Sequence, residues 1–217
     1  MASYQLKIRL LSETTFGRGD GMAGEVNQEV VHDQYGFPFL RGRTLKGVLS
    51  EECDGVAAML PNQPHWNDAL HNLFGSAGST TTTQGNWQYG DATLPELLRH
   101  LVAVQQQNNE LNAAEVLASL TTIRQQTAID GTTGTPDKGS LRAARVLIRE
   151  IVFTSRLTTE AKPSDYEVML LAAGCRALRH IGLSRTRGRG HVRCSLYDKD
   201  STDITDTWVA KLKEAAQ

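Results

Sequence analysis

Long apolar runs and cysteine pairs are missing from this 217-residue chain, and aromatic residues are few. No stretch reaches the roughly 18 apolar residues that a membrane-crossing helix needs, so no membrane partner is expected. The first eleven residues alternate polar and apolar side chains and hold no signal-peptide core, so a cytoplasmic location is expected. Cys53, Cys175 and Cys194 stand far apart, odd in number and outside any CxxC pair, which excludes a disulfide framework. Cys53 with His65 and His71 fits no common zinc spacing, and no metal site is expected there. Aromatics are 6% of the residues and form no strand-borne stacking run, which argues against a free-standing RNA-binding sheet. Residues 42–48 lack the Gly-Lys-Ser/Thr of a Walker loop, and Gly19-x-Gly21-x-x-Gly24 opens no helical pattern. With no Ser-His-Asp or Cys-His set either, a small-molecule enzyme is disfavoured.

What is present fits one large globular domain, or a domain with an insertion, at 40% hydrophobic and 22% charged residues. The net charge of −1 hides an uneven distribution. Arg176, Arg179, Arg185, Arg187, Arg189 and Arg193 fall within eighteen residues that hold no Asp or Glu. One dense arginine segment in a nearly neutral chain points to a local phosphate-binding groove.

Along the chain, Tyr4, Leu6, Ile8 and Leu10 alternate with Gln5, Lys7 and Arg9, the pattern of a half-buried strand. A glycine-rich loop follows at 16–24, then 25–33, bracketed by the carboxylates Glu25, Glu29 and Asp33. After the turn at Tyr35-Gly36, Arg41-Gly42-Arg43-Thr44-Leu45-Lys46-Gly47 hands over to a helix for which Thr44 is the expected N-cap. Free N–H groups at such a helix start, with Arg41, Arg43 and Lys46 beside them, would suit an anion. A break at 61–64, a short helix at 65–74, a polar loop tip at 80–83 and a strand carrying Trp87 and Tyr89 come next. Helical patterns fill 96–107 and 109–120. Residues 127–153 read as a strand at Ile129, a turn-rich excursion and a returning strand, VLIREIVF. Ser164 and Glu167 form a capping box for a helix with Val168, Leu171, Ala172, Cys175 and Leu178 on its buried stripe. A last strand carries Val192, Cys194 and Leu196, and Trp208, Val209 and Leu212 mark a terminal helix.

Five segments carry a family resemblance. Pro38-Phe39-Leu40-Arg41-Gly42-Arg43-Thr44-Leu45-Lys46-Gly47 resembles the Pro-x-(Leu/Ile)-x-Gly-(Ser/Arg)-x-Leu-Lys-Gly signature of the RAMP superfamily, the RNA-binding backbone proteins of CRISPR effector complexes. Leu73-Phe74-Gly75, the strand at 85–92, the Ile129-Asp130-x-x-Thr133-Gly134 centre and the loop at 184–190 resemble further family segments in the same order. The element order is that of an α+β, ferredoxin-like (RRM-type) domain spanning 1–217, with a helical insertion near 95–121 and a thumb hairpin near 127–142.

The resemblance implies a type III backbone subunit with a CRISPR guide RNA, complementary target RNA and neighbouring RAMP subunits as partners. Contacts then fall on phosphates and 2′-hydroxyls, because a guide must be held whatever its sequence. The implied RNA contacts are Arg41, Gly42, Arg43, Lys46, Thr127, Ile129, Lys138, Arg185, Arg187, Gly188, Arg189 and Gly190. On an extended loop, Arg185, Arg187 and Arg189 would share one face. Type III members cleave target RNA with a loop Asp that stands six residues before an acidic residue, and Asn27 stands there before Asp33. An amide cannot take a proton as a carboxylate does, so the chain as written is expected not to cleave. The alternatives are a natural or engineered Asn-for-Asp form, cleavage by Glu25 or Asp20, and a guide-precursor-processing RAMP nuclease. No tightly bound cofactor is expected, and a divalent Mg2+ or Mn2+ ion would enter only with cleavage.

Overall fold

A computed structural model describes residues 1–61, 63–76, 78 and 83–216. All of the expected polar loop tip except Thr83 lies outside the described residues. Strand β1 (Ala2–Leu10) buries Leu6, Ile8 and Leu10 completely and turns Arg9 to solvent. It lies inside a four-stranded antiparallel sheet whose other strands are β2 (Trp87–Tyr89), β5 (Val152–Thr159) and β6 (Val192–Tyr197), in the order β2-β5-β1-β6. Helices α1 (Gly42–Ala57), α2 (Gln63–Phe74) and α5 (Asp165–Ala177) pack together against this sheet, and α6 (Thr205–Ala215) covers α5. With two parts of the chain inserted, this is the ferredoxin-like order and connectivity.

The helices are apolar where they meet. Leu45, Leu49, Cys53 and Ala57 recur every fourth residue on α1 and are buried. Nearly the whole of α5 is buried, starting from the expected capping box, in which Ser164 and Glu167 each accept from the other's backbone N–H. Glu167 does more than cap. Its carboxylate accepts from Trp87 Nε1 at 2.8 Å and from Asn72 Nδ2 at 3.2 Å, tying α5 to β2 and α2. The three thiols are buried and unpaired by disulfides, and burial pushes the Cys194 thiol up to about 12.

Between β2 and β5 the chain makes α3 (Glu96–Gln107), α4 (Ala113–Leu120) and a two-stranded sheet of β3 (Thr121–Gln126) with β4 (Arg142–Leu147). Three expectations need correction here. The hairpin is longer than residues 127–142, because β3 begins directly at the end of α4. Ile129 belongs to the exposed hairpin tip, where a single bridge to Pro136 replaces the expected strand. The stretch VLIREIVF is two strands, since Glu150 takes a left-handed φ of 74° between β4 and β5 and redirects the chain into the main sheet. Helix α4 starts late because Asn109 also turns left-handed (φ 59°), and Asn112 with Glu115 forms its capping box. Helix α3 buries no side chain, and its tethers include Arg99 to Asp33 and Gln106 to the Tyr35 carbonyl. Among the described residues, no helix is long and apolar enough to cross a membrane.

The α1–α5 crossing yields a test. A Cβ at Gly174 would sit 2.2 Å from Cys53 Sγ, whereas one at Gly55 on α1 meets nothing within 4 Å. Gly174→Ala should lower stability in denaturant melts by about 1–3 kcal/mol through overpacking. Gly55→Ala should raise it by up to about 1 kcal/mol through helix propensity. Equal effects from the two would mean that the helices do not approach this closely.

Candidate nucleic-acid interface

Residues 14–33 form an irregular hairpin laid beside β4, in which the glycine-rich loop expected at 16–24 is one arm. Gly17 bridges Val30 and Met22 bridges Val26, so the glycine-rich stretch and the stretch after it are two arms of one unit. Gly21 is needed for this closure, because a Cβ there would lie 2.4 Å from the Val26 carbonyl oxygen. The second arm adds to the β3–β4 sheet. Asn27 donates its backbone N–H to the Ala143 carbonyl at 2.7 Å, and its Oδ1 accepts from Ala143 N at 2.8 Å.

Charge secures the arm. Glu29 is fully buried, and both its carboxylate oxygens accept from Arg145 Nε, at 2.9 and 3.1 Å. Glu25 takes the other end of the same guanidinium at 3.2 Å. Asp20 is held by Arg18 at 2.6 Å, and that hydrogen bond lowers its pKa from the ordinary carboxylate value. Asp33 accepts from the backbone N–H groups of Tyr35 and Phe37 and from Arg99. The alternative catalytic carboxylates Glu25 and Asp20 therefore both have cationic partners. Among the described residues, no group of three His, Cys, Asp or Glu side chains could hold a metal ion.

The signature start of α1 differs from expectation. The helix begins at Gly42 with Arg41 at the cap position, three residues before the expected cap Thr44. Asp91 holds this earlier start: its carboxylate accepts from Gly42 N at 2.7 Å and so occupies one of the free donors of the first turn. Gly42 is buried against the Tyr89 carbonyl, with a would-be Cβ at 2.1 Å, so a side chain there would not fit. Arg41 and Arg43 are exposed, and Lys46 stands over the Tyr89 ring at 6.0 Å, beside Phe74, Ser76 and Gly85.

The glycine-rich loop is not extended, so its arginines do not share one face. Ser184 is left-handed, Arg185–Arg187 form one 3-10 turn, and Gly188 is again left-handed. Arg185 consequently points to Glu51 on α1, at 4.0 Å. Arg187 lines a hollow at the turn-side end of the β3–β4 ladder with Thr127, Ser140 and Arg142. Arg189 lies close enough to Glu13 for its charge to lower that carboxylate's pKa, although the hydrogen bond from Arg124 is the larger cause. Gly190 donates to the Glu13 carbonyl at 2.8 Å. Ile129 and Lys138 stay exposed at the hairpin tip, outside the hollow.

Arg187 and Thr127 thus meet, with Arg142, which the sequence did not single out, next to Ala143 and its partner Asn27. The pattern of RAMP sequences is matched over residues 7–193. The chain belongs to the RAMP superfamily. This RAMP chain is similar in fold to a type III-B Cmr-beta structure bound to cognate target RNA, at TM-score 0.67 and 13% identity, covering 96% of this chain and 99% of that one. A Cmr-beta structure of the apo state matches at TM-score 0.61 and 15% identity, covering 93% and 99%. No curated protein matches.

Removing one partner of a buried ion pair leaves the other charge unpaired, so Arg145→Met should cost about 3–5 kcal/mol. Glu25→Gln, which loses only the exposed arm of the triad, should cost no more than about 1 kcal/mol. Thermal melts, with hydrogen exchange at the Val30 amide, separate these outcomes. Similar losses from both variants would mean that Glu29 does not anchor the loop.

Proposed function

We propose that this RAMP chain is a backbone subunit of a type III RNA-targeting CRISPR effector complex. It holds guide RNA by its phosphates in the hollow between the glycine-rich loop and the turn-side end of the β3–β4 ladder. Complementary target RNA then lies along the exposed hairpin, and further RAMP subunits continue the assembly. One observation carries this reading: Arg187 from the loop and Arg142 from β4 line the same hollow, beside the arm that carries Asn27. Guanidinium forks fit phosphate oxygens in two-point hydrogen bonds, and neither arginine reads a base from that position.

As written, the chain would hold a target without cutting it. Asn27 Oδ1 is engaged by Ala143 N, and its Nδ2 is a donor that cannot abstract a proton. A cleavage-competent relative would need a carboxylate there. Aspartate preserves the Ala143 hydrogen bond through one oxygen and leaves the other free. A divalent ion, if cleavage requires one, would have to be held largely by RNA phosphate, since the chain's nearby carboxylates are committed to Arg145 and Arg18.

Two measurements test this. Arg142→Ala with Arg187→Ala should weaken guide binding similarly for unrelated spacers and flatten its salt dependence by about 0.7 for each single-strand phosphate that is no longer neutralised. Undiminished binding at ~0.2 M salt would move the guide elsewhere. Asn27→Asp should leave folding and RNA binding unchanged and switch on divalent-ion-dependent cleavage of complementary target in the assembled complex. Cleavage by the unaltered chain, lost on Glu25→Gln or Asp20→Asn, would transfer the role to one of those carboxylates.

A further inference from the structure

Half of the arginine segment leads away from the hairpin. Arg176, Arg179, His191 and Arg193 line a separate open cleft at the outer edge of the main sheet, where β6 is the last strand. Leu178 and Val192 form part of its wall, and among the described residues no carboxylate lines it. Arg176 is paired with Asp206 at 2.9 Å, but among the described residues neither Arg179 nor Arg193 makes an ion pair.

A second observation comes from strand register. Arg193 on β6 stands directly opposite Arg9 on β1, and both are exposed. Like charges directly opposite across a strand pair are destabilising. Glu150, just before β5 and on the other side of β1 from β6, pairs with Arg9 and not with Arg193. The uncompensated guanidinium is Arg193, and a bound anion would remove the repulsion. Along the same side of this chain segment, His191, Arg193, Ser195 and Tyr197 alternate flat ring, cation, hydroxyl and flat ring. His191 stacks on His180, and Lys7 lies 3.9 Å over the Tyr197 ring. Cations interleaved with rings suit phosphates separated by stacking bases, whereas an acidic peptide would use only the cations.

We propose that the β6 edge is a second RNA site, binding the backbone of a single strand outside the hairpin hollow. Arg193 is the central phosphate ligand, with Arg179 flanking it. This rests on the reading of the chain as an RNA-binding subunit, but not on where the guide lies.

The test uses the full chain and a fluorescein-labelled oligo(U) strand. Arg179→Gln with Arg193→Gln should weaken binding roughly tenfold at ~0.15 M salt, the scale of losing charge-assisted hydrogen bonds, and flatten the salt slope by about 1–1.5. Its melting temperature should not fall, because the substitution removes a like-charge pair. Arg193→Lys should keep most of the slope. If this double variant binds normally while Arg142→Ala with Arg187→Ala loses binding, the second site is refuted and the hollow stands. The converse result refutes the hollow and leaves the β6 site. No binding of oligo(U) by the unaltered chain overturns both. Stronger competition by polyglutamate than by unlabelled oligo(U) would also overturn the proposal, by assigning the edge to an acidic protein segment.

Discussion

The buried pair of Glu29 with Arg145 is the interaction on which the interface depends. A two-stranded hairpin has little stability alone, and β3–β4 makes no ladder with the main sheet. What holds it is the arm at 27–30, joined to β4 by backbone hydrogen bonds and by a carboxylate wholly removed from water. A charge buried to this degree needs its counter-charge and its hydrogen bonds. Glu29 has both, since the Val30 N–H and the Arg145 guanidinium all donate to it. The same bond therefore orders the loop, braces the hairpin and brings Asn27 to Ala143.

The main sheet contributes placement. Its helices are locked by Glu167 and by the close approach of Gly174 to Cys53, and α5 ends at Ala177, inside the arginine segment. From there, left-handed residues distribute the cations: Ser184 and Gly188 send Arg185 and Arg187 to different neighbours, and Gly190 returns the chain to β6. One linear run of positive charge becomes separate surfaces. Their separation is a matter of backbone conformation, not of charge density.

Much of the scaffold was legible because it repeats with the period of the backbone. The alternation of β1, the fourfold spacing of Leu45, Leu49, Cys53 and Ala57, and the Ser164–Glu167 box all follow from local geometry. Misreadings occurred where a local rule met a distant partner. Thr44 is a good cap by type, but Asp91, far along the chain, caps the helix earlier. VLIREIVF alternates well enough for one strand, yet its two halves join different sheets on either side of Glu150.

The order of elements, the ferredoxin-like class and the segments that carry family character were determined by the sequence itself, because hydrophobic period, turn residues and capping pairs act over a few positions. Which charges meet was decided only in the folded chain. Arg142 and Arg187 are far apart in sequence, and so are Glu29 and Arg145 or Arg9 and Arg193, and no periodicity connects them. Strand pairing brings such residues together through register and loop closure, and electrostatics acts only once they are within a few ångströms.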